Sequence, residues 1–279
     1  MTAQTLTADD EPAEIPSAIQ RRTSVAYKSG EAVSSTRAVP EETAIALTYD
    51  GATQAVMMAS PQDLEDFAIG FSLTERIVAS VDDIQSLEVV PLAEGVELRM
   101  WLAKPIGDAL SARRRHLAGP TGCGLCGIDS LSEAVRAPPK VGDKLRIGAV
   151  DIATALDTLP AGQSLNRETR AVHAAGFWRR AGGLVAVRED VGRHNALDKL
   201  VAAMARSDES GADGLLLLTS RVSIEMVQKA AALGAEILVA VSAPTALAIR
   251  TAEAAGITLV AIARADGFEV FTHPHRIRS

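Results

Sequence analysis

The chain has 279 residues, with 28 Lys and Arg residues against 35 Asp and Glu residues and a formal net charge of −7. Hydrophobic residues make up 47% of it, which suits a folded protein of one large domain or two small ones. The acidic balance argues against sequence-independent binding of nucleic acid, which needs clustered cationic surface. No apolar run approaches the roughly 18–20 residues that cross a bilayer, so no membrane association is expected.

The first residues are predicted to form a disordered polar tail, residues 1–38, because Thr, Ala, Pro and Ser dominate there. Residues 1–20 contain four acidic residues and no Lys or Arg, the reverse of a secretory signal. The two cysteines lie three positions apart, so a disulfide between them would connect nothing distant. A cytoplasmic location is therefore the expectation.

A small α+β subdomain with antiparallel pairing is predicted for residues 39–135. Its hairpin follows from the turn pair Asp50-Gly51 between two apolar runs. Ser60 is the predicted N-cap of a helix, with Pro61 at its first position and Asp63 closing a capping box. The predicted elements are strands at 44–49 and 55–59, a helix at 61–75, and strands at 84–90 and 95–102.

A glycine-rich segment ends this subdomain and contains both cysteines. Residues 119–127 read Gly-Pro-Thr-Gly-Cys-Gly-Leu-Cys-Gly, and they follow the basic run Arg113–His116. Four glycines in nine residues predict a mobile loop rather than a core element. Cys123 and Cys126 are the candidate catalytic residues of the chain.

Three interpretations of this Cys-x-x-Cys pair are open. A zinc site needs two further ligands, and no spacing points to His116, His173 or His194 as one of them. A thioredoxin-like redox site would place the pair at a helix start after a strand, whereas here glycine flanks it. A nucleophilic thiol on a swinging loop fits best, because the basic run favours a thiolate.

The last part of the chain, residues 136–279, is predicted to be an α/β domain. Strand-length apolar runs alternate there with helix-length segments, a pattern typical of βαβ units and a mostly parallel sheet flanked by helices. A final strand at 268–272 follows a short turn, so it is expected to run antiparallel at an edge. The other predicted strands are 184–188, 215–219, 236–241 and 257–263, and the predicted helices are 194–205, 223–233 and 245–255.

Ligands of such sheets bind beyond the carboxyl ends of the strands. Several arginines, a histidine and many hydroxyl groups fall at that edge, and helix-end amides together with guanidinium groups are typical of phosphate sites. The sequence therefore predicts a phosphate-bearing, nucleotide-like ligand, although each Ser or Thr taken alone is as well explained as an N-cap. The candidate binding residues from these loops are Arg193, His194, Arg221, Ser242, Thr245, Arg264, Asp266 and Gly267.

The segment His173-Ala174-Ala175 was compared with zinc nucleobase deaminases, which use His-x-Glu followed by Pro-Cys-x-x-Cys. Here the cysteines precede the histidine, and alanine stands where the proton-shuttling glutamate would be. Deaminase activity is therefore not expected, and no metal site is predicted.

The assembled motifs resemble the FdhD/NarQ family of formate dehydrogenase accessory proteins over residues 41–272. The resemblance rests on Met57–Phe71, the Cys123–Gly127 loop, the string Arg188–Lys199 and Ser242–Thr245. It implies a cytidine-deaminase-like α/β fold with an added N-terminal α+β subdomain, in a homodimer. Such a fold would explain the degenerate His173 segment.

The resemblance also implies a sulfurtransferase. A cysteine desulfurase would load Cys123 as a persulfide, with Cys126 as its companion. The sulfur would then pass to the molybdenum or tungsten bis(molybdopterin guanine dinucleotide) cofactor of a formate dehydrogenase apo-enzyme. The family's cofactor-binding stretch falls on Ile262, Ala263, Arg264, Ala265, Asp266 and Gly267.

Three departures from the family pattern, at Arg170, Ser220 and Gly267, bear on cofactor affinity more than on the sulfur chemistry. Arg170 lies in Thr169-Arg170-Ala171, where the family has Thr-Gly-Gly, and Ser220 also replaces a glycine. Gly267 stands where a second arginine is usual. Two alternatives to sulfur transfer are a non-catalytic chaperone for the cofactor or apo-enzyme and a zinc-stabilised binding module.

Overall fold

A computed structural model describes residues 13–108, 110, 135–264 and 266–278. The predicted loop with Cys123 and Cys126 lies outside the described residues, as does Ala265. Within the described part of the chain, no helix is long and apolar enough to span a membrane.

The described part of the predicted tail forms a β-hairpin instead, so the disorder expected through residue 38 is wrong for residues 19–38. Strand β1 (Ile19–Lys28) pairs antiparallel with β2 (Glu31–Pro40) along its whole length. Both faces of this ribbon are largely exposed, with Val25 and Tyr27 among the exposed apolar side chains. Because neither face is buried, its sequence lacks the polar–apolar alternation that reveals a half-buried strand.

A four-stranded sheet follows in the order β4-β3-β6-β5. Asp50 and Gly51 form the turn between β3 and β4, both with positive φ, as predicted from this residue pair. The sheet is not wholly antiparallel, because β3 pairs parallel with β6. Its strands are β3 (Thr43–Tyr49), β4 (Ala52–Ala59), β5 (Ile84–Leu92) and β6 (Gly95–Leu102).

Helix α1 (Leu64–Thr74) covers one face of this sheet and buries Phe67 against it. The helix begins later than predicted, and Asp63, in a left-handed conformation, precedes it without a side-chain cap. Ser60 is therefore not the N-cap. Its backbone N–H instead donates to Asp190 at 3.0 Å, and its hydroxyl oxygen accepts from the backbone N–H of Val191 at 3.1 Å.

The second sheet has six strands in the order β13-β12-β11-β10-β8-β9. Strands β9 to β12 run in one direction, but β8 lies antiparallel between β9 and β10, an insertion the sequence pattern did not predict. The last strand is antiparallel at the edge, as predicted. The strands are β8 (His173–Arg179), β9 (Gly183–Asp190), β10 (Leu215–Leu218), β11 (Ile237–Ala240), β12 (Thr258–Arg264) and β13 (Gly267–Val270).

Helices cover both faces of this sheet. Leu216 and Leu218 of β10 pack under α4, α5 and α6, while Leu215 and Leu217 face α2 on the other side. Successive side chains of a strand point to opposite faces of the sheet, so β10 is apolar throughout because both of its faces are buried. The helices are α2 (Ala149–Thr158), α3 (Ser164–Thr169), α4 (Arg193–Arg206), α5 (Ile224–Leu233) and α6 (Ala246–Ala255).

The segment leading into the α/β unit is fixed by a buried carboxylate. Glu236 accepts the backbone N–H groups of Lys144 and Leu145 at 2.9 and 2.7 Å, and the buried Arg276 guanidinium lies 3.6 Å from it. Next to these contacts, β7 (Ile147–Gly148) pairs with β14 (Ile277–Arg278). The start and the end of the unit are thereby held together.

The two sheets are joined where α1 crosses α4. A Cβ added to Gly70 would lie 1.7 Å from the backbone oxygen of Asp198, so only glycine permits this approach. The phenyl rings of Phe67 and Phe71 on α1 each lie beneath a buried lysine ammonium group, both at 5.8 Å.

Candidate functional site

The candidate binding residues do gather at one edge of the six-stranded sheet. Strands β9, β10, β11 and β12 share a direction, so their carboxyl ends lie along the same edge. The strand ends, loops and helix starts along this edge carry Arg193, His194, Arg221, Ser242, Thr245 and Arg264. The structure thus brings together residues that are far apart in the sequence: Arg193 and Arg264 are separated by 71 positions.

Arg193, the first residue of α4, is the least satisfied cation at this edge. Its guanidinium Nε is buried and has no hydrogen-bond partner among the described residues. His173, which faces Asp190 across β8 and β9, is half-buried. Burial, together with the charge of Arg193, lowers the pKa of His173, so its imidazole is neutral at pH 7. Within the described part of the chain, Arg193 is therefore a positive group whose buried Nε has no hydrogen-bond partner.

His194, the next residue on α4, faces the start of α5. Its Nε2 lies 3.7 Å from Oε2 of Glu225, and the Ser223 hydroxyl donates to the same carboxylate oxygen at 2.6 Å. Burial lowers the pKa of His194, and Arg193 and Lys229 reinforce this effect. The result is a neutral imidazole beside an anchored carboxylate.

A cavity of about 390 Å³ opens at the same edge, on the face covered by α2 and α3. Thr219, Val241 and Arg264 form its wall at the ends of β10, β11 and β12. Gln163 and Asn166 line it from the opposite side. This volume lies in the range of small-ligand sites.

In the predicted cofactor stretch, residues 262–264 end β12, and Asp266 and Gly267 lead into β13. Ile262 has φ 52°, a left-handed conformation that costs a β-branched residue free energy, and its N–H donates to the carbonyl of Ser242 at 3.2 Å. Ala263 is buried, whereas Arg264, Asp266 and Gly267 are exposed. Arg264 lines the cavity, and Ala265 lies outside the described residues.

Two other predicted binding residues have different surroundings. Thr245 is the N-cap of α6, and its hydroxyl oxygen accepts from the backbone N–H of Ala248 at 3.1 Å. Arg221 is exposed between β10 and α5.

Arg170, one of the departures from the family pattern, follows the last residue of α3. Its φ is 54°, a conformation in which glycine is the favoured residue.

Much of the motif Arg188–Lys199 acts as a structural clamp. Lys199 donates to Asp190 at 2.6 Å and to the carbonyl of Ser60 at 3.0 Å. Asn195 donates to Asp190 and to the carbonyl of Met58 at 3.0 and 2.8 Å. These bonds tie the start of α4 to the β4–α1 loop, so the motif positions the edge as well as lining it.

A second buried network joins the end of α1 to α4 and α5. Lys229 of α5 donates to Asp198 and to Thr74 at 2.8 and 2.9 Å, and it pairs with Glu75 at 3.0 Å. Burial alone would lower the pKa of Lys229, but Asp198 and Glu75 raise it above its usual value. The lysine therefore remains charged and holds three helices together.

Sequence patterns did not single out Gln163 or Asn166 as site residues, and they placed Glu189 at the sheet edge without assigning it a role. Glu189 is buried, and it accepts the backbone N–H groups of Leu165 and Asn166 at 2.7 and 2.8 Å. It thereby holds α3 against the sheet edge. The six-residue helix α3, which Gln163 precedes and which contains Asn166, has too few turns to show apolar periodicity, so only the fold reveals these two residues.

No three His, Cys, Asp or Glu side chains of the described residues cluster in a way that would hold a metal ion.

Comparisons with known proteins assign the family. The FdhD/NarQ family model matches residues 40–278. A protein of Agrobacterium fabrum named sulfur carrier protein FdhD is 52% identical over 94% of this chain and 97% of its own length. A protein of the same name from Brucella abortus is 54% identical over 87% of this chain and 91% of its own.

One solved structure supports the overall fold. It is described as a candidate formate dehydrogenase accessory protein from Desulfotalea psychrophila. It superposes with a TM-score of 0.74 at 24% identity, covering 94% of this chain and all of its own. The match extends beyond the sheet edge to almost the whole chain. The family model and the two relatives establish that this chain belongs to the FdhD/NarQ family.

Proposed function

We propose that this chain is a sulfur carrier that accepts persulfide sulfur from a cysteine desulfurase. It would pass this sulfur to a molybdenum or tungsten bis(molybdopterin guanine dinucleotide) cofactor destined for formate dehydrogenase. The observation that carries the proposal is the 52% identity, over nearly the full length of both chains, with a protein named for sulfur carriage. The retained pair Cys123 and Cys126 supplies the thiols that this role requires.

The sheet edge supports the second half of the proposal. The proposed substrate contains pyrophosphate groups, and the buried Nε of Arg193, which no described residue contacts by a hydrogen bond, favours an anion. Arg264 offers a second guanidinium at the mouth of the cavity. Guanidinium groups bind phosphate oxygens in a planar, paired geometry, which makes arginine suited to such a ligand.

The loading step is a thiol–persulfide exchange. The thiolate of Cys123 attacks the outer sulfur of the desulfurase persulfide, forming a new S–S bond. The S–S bond within the desulfurase persulfide breaks, and the desulfurase cysteine leaves as a thiolate. No net oxidant or reductant is needed, because one S–S bond forms as another breaks. In the later transfer to cofactor held nearby, the S–S bond of the Cys123 persulfide would break, Cys123 would leave as a thiolate, and an external thiol reductant would supply the two electrons that bring the outer sulfur to the sulfide level.

We also infer that the α/β unit is cytidine-deaminase-like and that its metal ligands have been replaced. Zinc deaminases place His-x-Glu before Pro-Cys-x-x-Cys. In that order, His194-Asn195-Ala196 begins α4 and Ser220-Arg221-Val222-Ser223 leads into α5. Serines then stand at the cysteine spacing and Ala196 at the glutamate position. His194 is a better match to the motif than His173, which begins a strand.

The test of sulfur carriage is the intact mass of the protein after incubation with a cysteine desulfurase and free cysteine. We expect a gain of one sulfur atom that a reductant removes and that Cys123→Ala abolishes. Cys126→Ala measured in parallel reports whether the second thiol is needed for loading.

A non-catalytic chaperone would behave differently. It would gain no sulfur, and a variant with both cysteines replaced by alanine would still mature formate dehydrogenase. Either result with a competent desulfurase contradicts the proposed carrier.

A further inference from the structure

Arg136 is fixed to two helices at the point where the chain rejoins the described fold after the part that contains both cysteines. The side-chain amide of Gln228, on α5, donates to the carbonyl oxygen of Arg136 at 2.9 Å. The Arg136 guanidinium donates to the carbonyl oxygen of Thr74, the last residue of α1, at 3.4 Å. It also lies 3.5 Å from a carboxylate oxygen of Glu75. Both the backbone and the side chain of Arg136 are thereby held.

Glu75 connects this attachment to a buried cation. Its Oε2 faces Arg136, and its Oε1 lies 3.0 Å from Nζ of Lys229. Lys229 already has a buried counter-ion in Asp198, at 2.8 Å. The Glu75 side chain is 38% exposed, so solvent is open to it, yet its two oxygens face two cations. Because Asp198 balances Lys229, what Glu75 adds is the link to Arg136.

The helix that holds Arg136 also reaches the ligand edge of the six-stranded sheet. In the first turn of α5, Oε2 of Glu225 lies 3.7 Å from Nε2 of His194, and Gln228 follows three residues later. At 1.5 Å per residue, these two positions on α5 are separated by about 4.5 Å along the helix axis. Arg136 is therefore attached less than one turn of α5 from the position that faces His194.

The place of this attachment matters because the cysteine is far from it along the chain. Cys123 lies 13 residues before Arg136 and 13 residues after Leu110, a buried residue in the core of the four-stranded sheet. A stretch of 13 residues spans at most about 45 Å, so length alone does not direct the thiol to the ligand edge. The effective concentration of a tethered group falls with tether length, roughly as the −3/2 power. An attachment close to the target therefore raises the concentration of the thiol there.

We propose that Glu75 and Gln228 are positioning residues for the delivery of sulfur from Cys123. They fasten the returning end of the cysteine-bearing chain beside the ligand edge, and both act through Arg136 rather than on the sulfur itself. The inference rests on the proposed function in that the delivered group is the persulfide of Cys123. It adds which contacts of α1 and α5 direct the delivery.

The concentration of the Cys123 thiol at the ligand edge is measurable without any sulfur transfer. In the parent variant Cys126→Ala/Ala243→Cys, a second thiol stands in the exposed loop after β11. The full-length protein is equilibrated with a glutathione redox buffer, and intact mass reports the share of molecules with an internal disulfide. That share gives the effective concentration of one thiol at the other. We expect the internal disulfide to form in the parent variant.

Adding Glu75→Gln and Gln228→Ala together should lower this effective concentration by at least roughly 1.6-fold. The reason is that the chain would then be tied at Val141, whose N–H donates to the carbonyl of Ala255 at 3.0 Å, and the tether would lengthen from 13 to 18 residues. Gln228→Ala alone should lower it in the same direction. This single variant leaves the Lys229 contacts intact, so it does not depend on the fold tolerating a change at Glu75.

Gln85→Ala/Glu88→Gln is the matched control, because both residues are exposed on β5 in the other sheet. Its effective concentration should equal that of the parent variant. The rate at which Cys123 reacts with a small free disulfide separates positioning from damage to the fold, since a changed tether leaves that rate the same.

Three outcomes would overturn the proposal: no internal disulfide in the parent variant, an unchanged effective concentration in both site variants, or an equal fall in the rate with the free disulfide. Loading by a desulfurase does not enter this measurement. Failure of the mass measurement of sulfur loading, together with the expected fall in effective concentration, would therefore count against sulfur carriage alone.

Discussion

The Nζ of Lys199 lies 2.6 Å from Oδ2 of Asp190, and both side chains are fully buried. Asp190 also accepts from the backbone N–H groups of Ser60 and Gly192 and from Asn195. This carboxylate thus fixes the start of α4, which carries Arg193 and His194, to the loop before α1. The α+β unit thereby sets the geometry of the ligand edge on the other sheet.

Replacing one member of this pair should be strongly destabilising. In Lys199→Met, the Asp190 carboxylate would stay buried without its counter-ion, and removing one partner of such a pair costs about 3–5 kcal/mol. Urea denaturation would measure the free energy of unfolding. The comparison is Arg21→Ala, which removes an exposed contact with Glu168 at 3.8 Å and should cost about 1 kcal/mol or less. If Lys199→Met lowered the free energy of unfolding as little as Arg21→Ala does, the stabilising role of the Lys199–Asp190 pair would be contradicted.

Gly70→Ala is expected to destabilise the protein, although alanine is the better helix former by about 1 kcal/mol. The added Cβ would meet the Asp198 backbone oxygen at 1.7 Å, and a backbone atom cannot rotate away. Separating α1 from α4 would cost at least about 1–3 kcal/mol, the usual range for overpacking. Thermal unfolding would show it. Glu65→Ala, at an exposed position of the same helix, provides the comparison, and an equal melting temperature for the two variants would refute the close-approach argument.

The sequence was most informative for elements whose structure depends only on their own residues. Asp50-Gly51 requires a hairpin turn, and the alternating residues of β6 require a half-buried strand. The helices and strands after residue 184 follow from apolar periodicity, which is why the sheet edge and the convergence of Arg193 and Arg264 were predictable. Each of these inferences needs only local chemistry.

Long-range partners were beyond such reasoning. Ser60 has the residue type of an N-cap, but its partners, Asp190 and Val191, lie 130 and 131 positions away. The string Arg188–Lys199 was recognised as specific, yet the sequence does not distinguish residues that clamp two units from residues that face a ligand. Asn166 lies in a helix too short for a pattern and Gln163 immediately precedes that helix, so their approach to the cavity is visible only in the fold, where Glu189 holds the helix start.

Replacing Arg193 should separate ligand binding from stability. Because its buried Nε has no partner among the described residues, Arg193→Met removes a half-buried cation without breaking a bond to Nε. We expect the melting temperature to stay the same or rise. Affinity for GDP or pyrophosphate should fall by about ten- to a hundredfold, as for a lost hydrogen bond to a charged group. Arg250→Met, at an exposed position on α6, should change neither quantity. Loss of stability without loss of affinity would assign Arg193 to the fold instead.

The two neutral histidines at the edge predict how stability depends on pH. Burial lowers the folded-state pKa of both His173 and His194 below the ordinary value of 6.5. Their contribution to stability is therefore complete above about pH 6.5, and it is lost as the pH falls, because the unfolded chain binds protons that the folded chain does not. Melting temperatures at pH 7.5 and 5.5 would measure the loss of stability.

In the double variant His173→Gln/His194→Gln, this pH-dependent loss of stability should shrink. Arg193→Met should also reduce it, since Arg193 lowers both pKa values. An unchanged difference between the two pH values in the double variant would show that other groups titrate in this range.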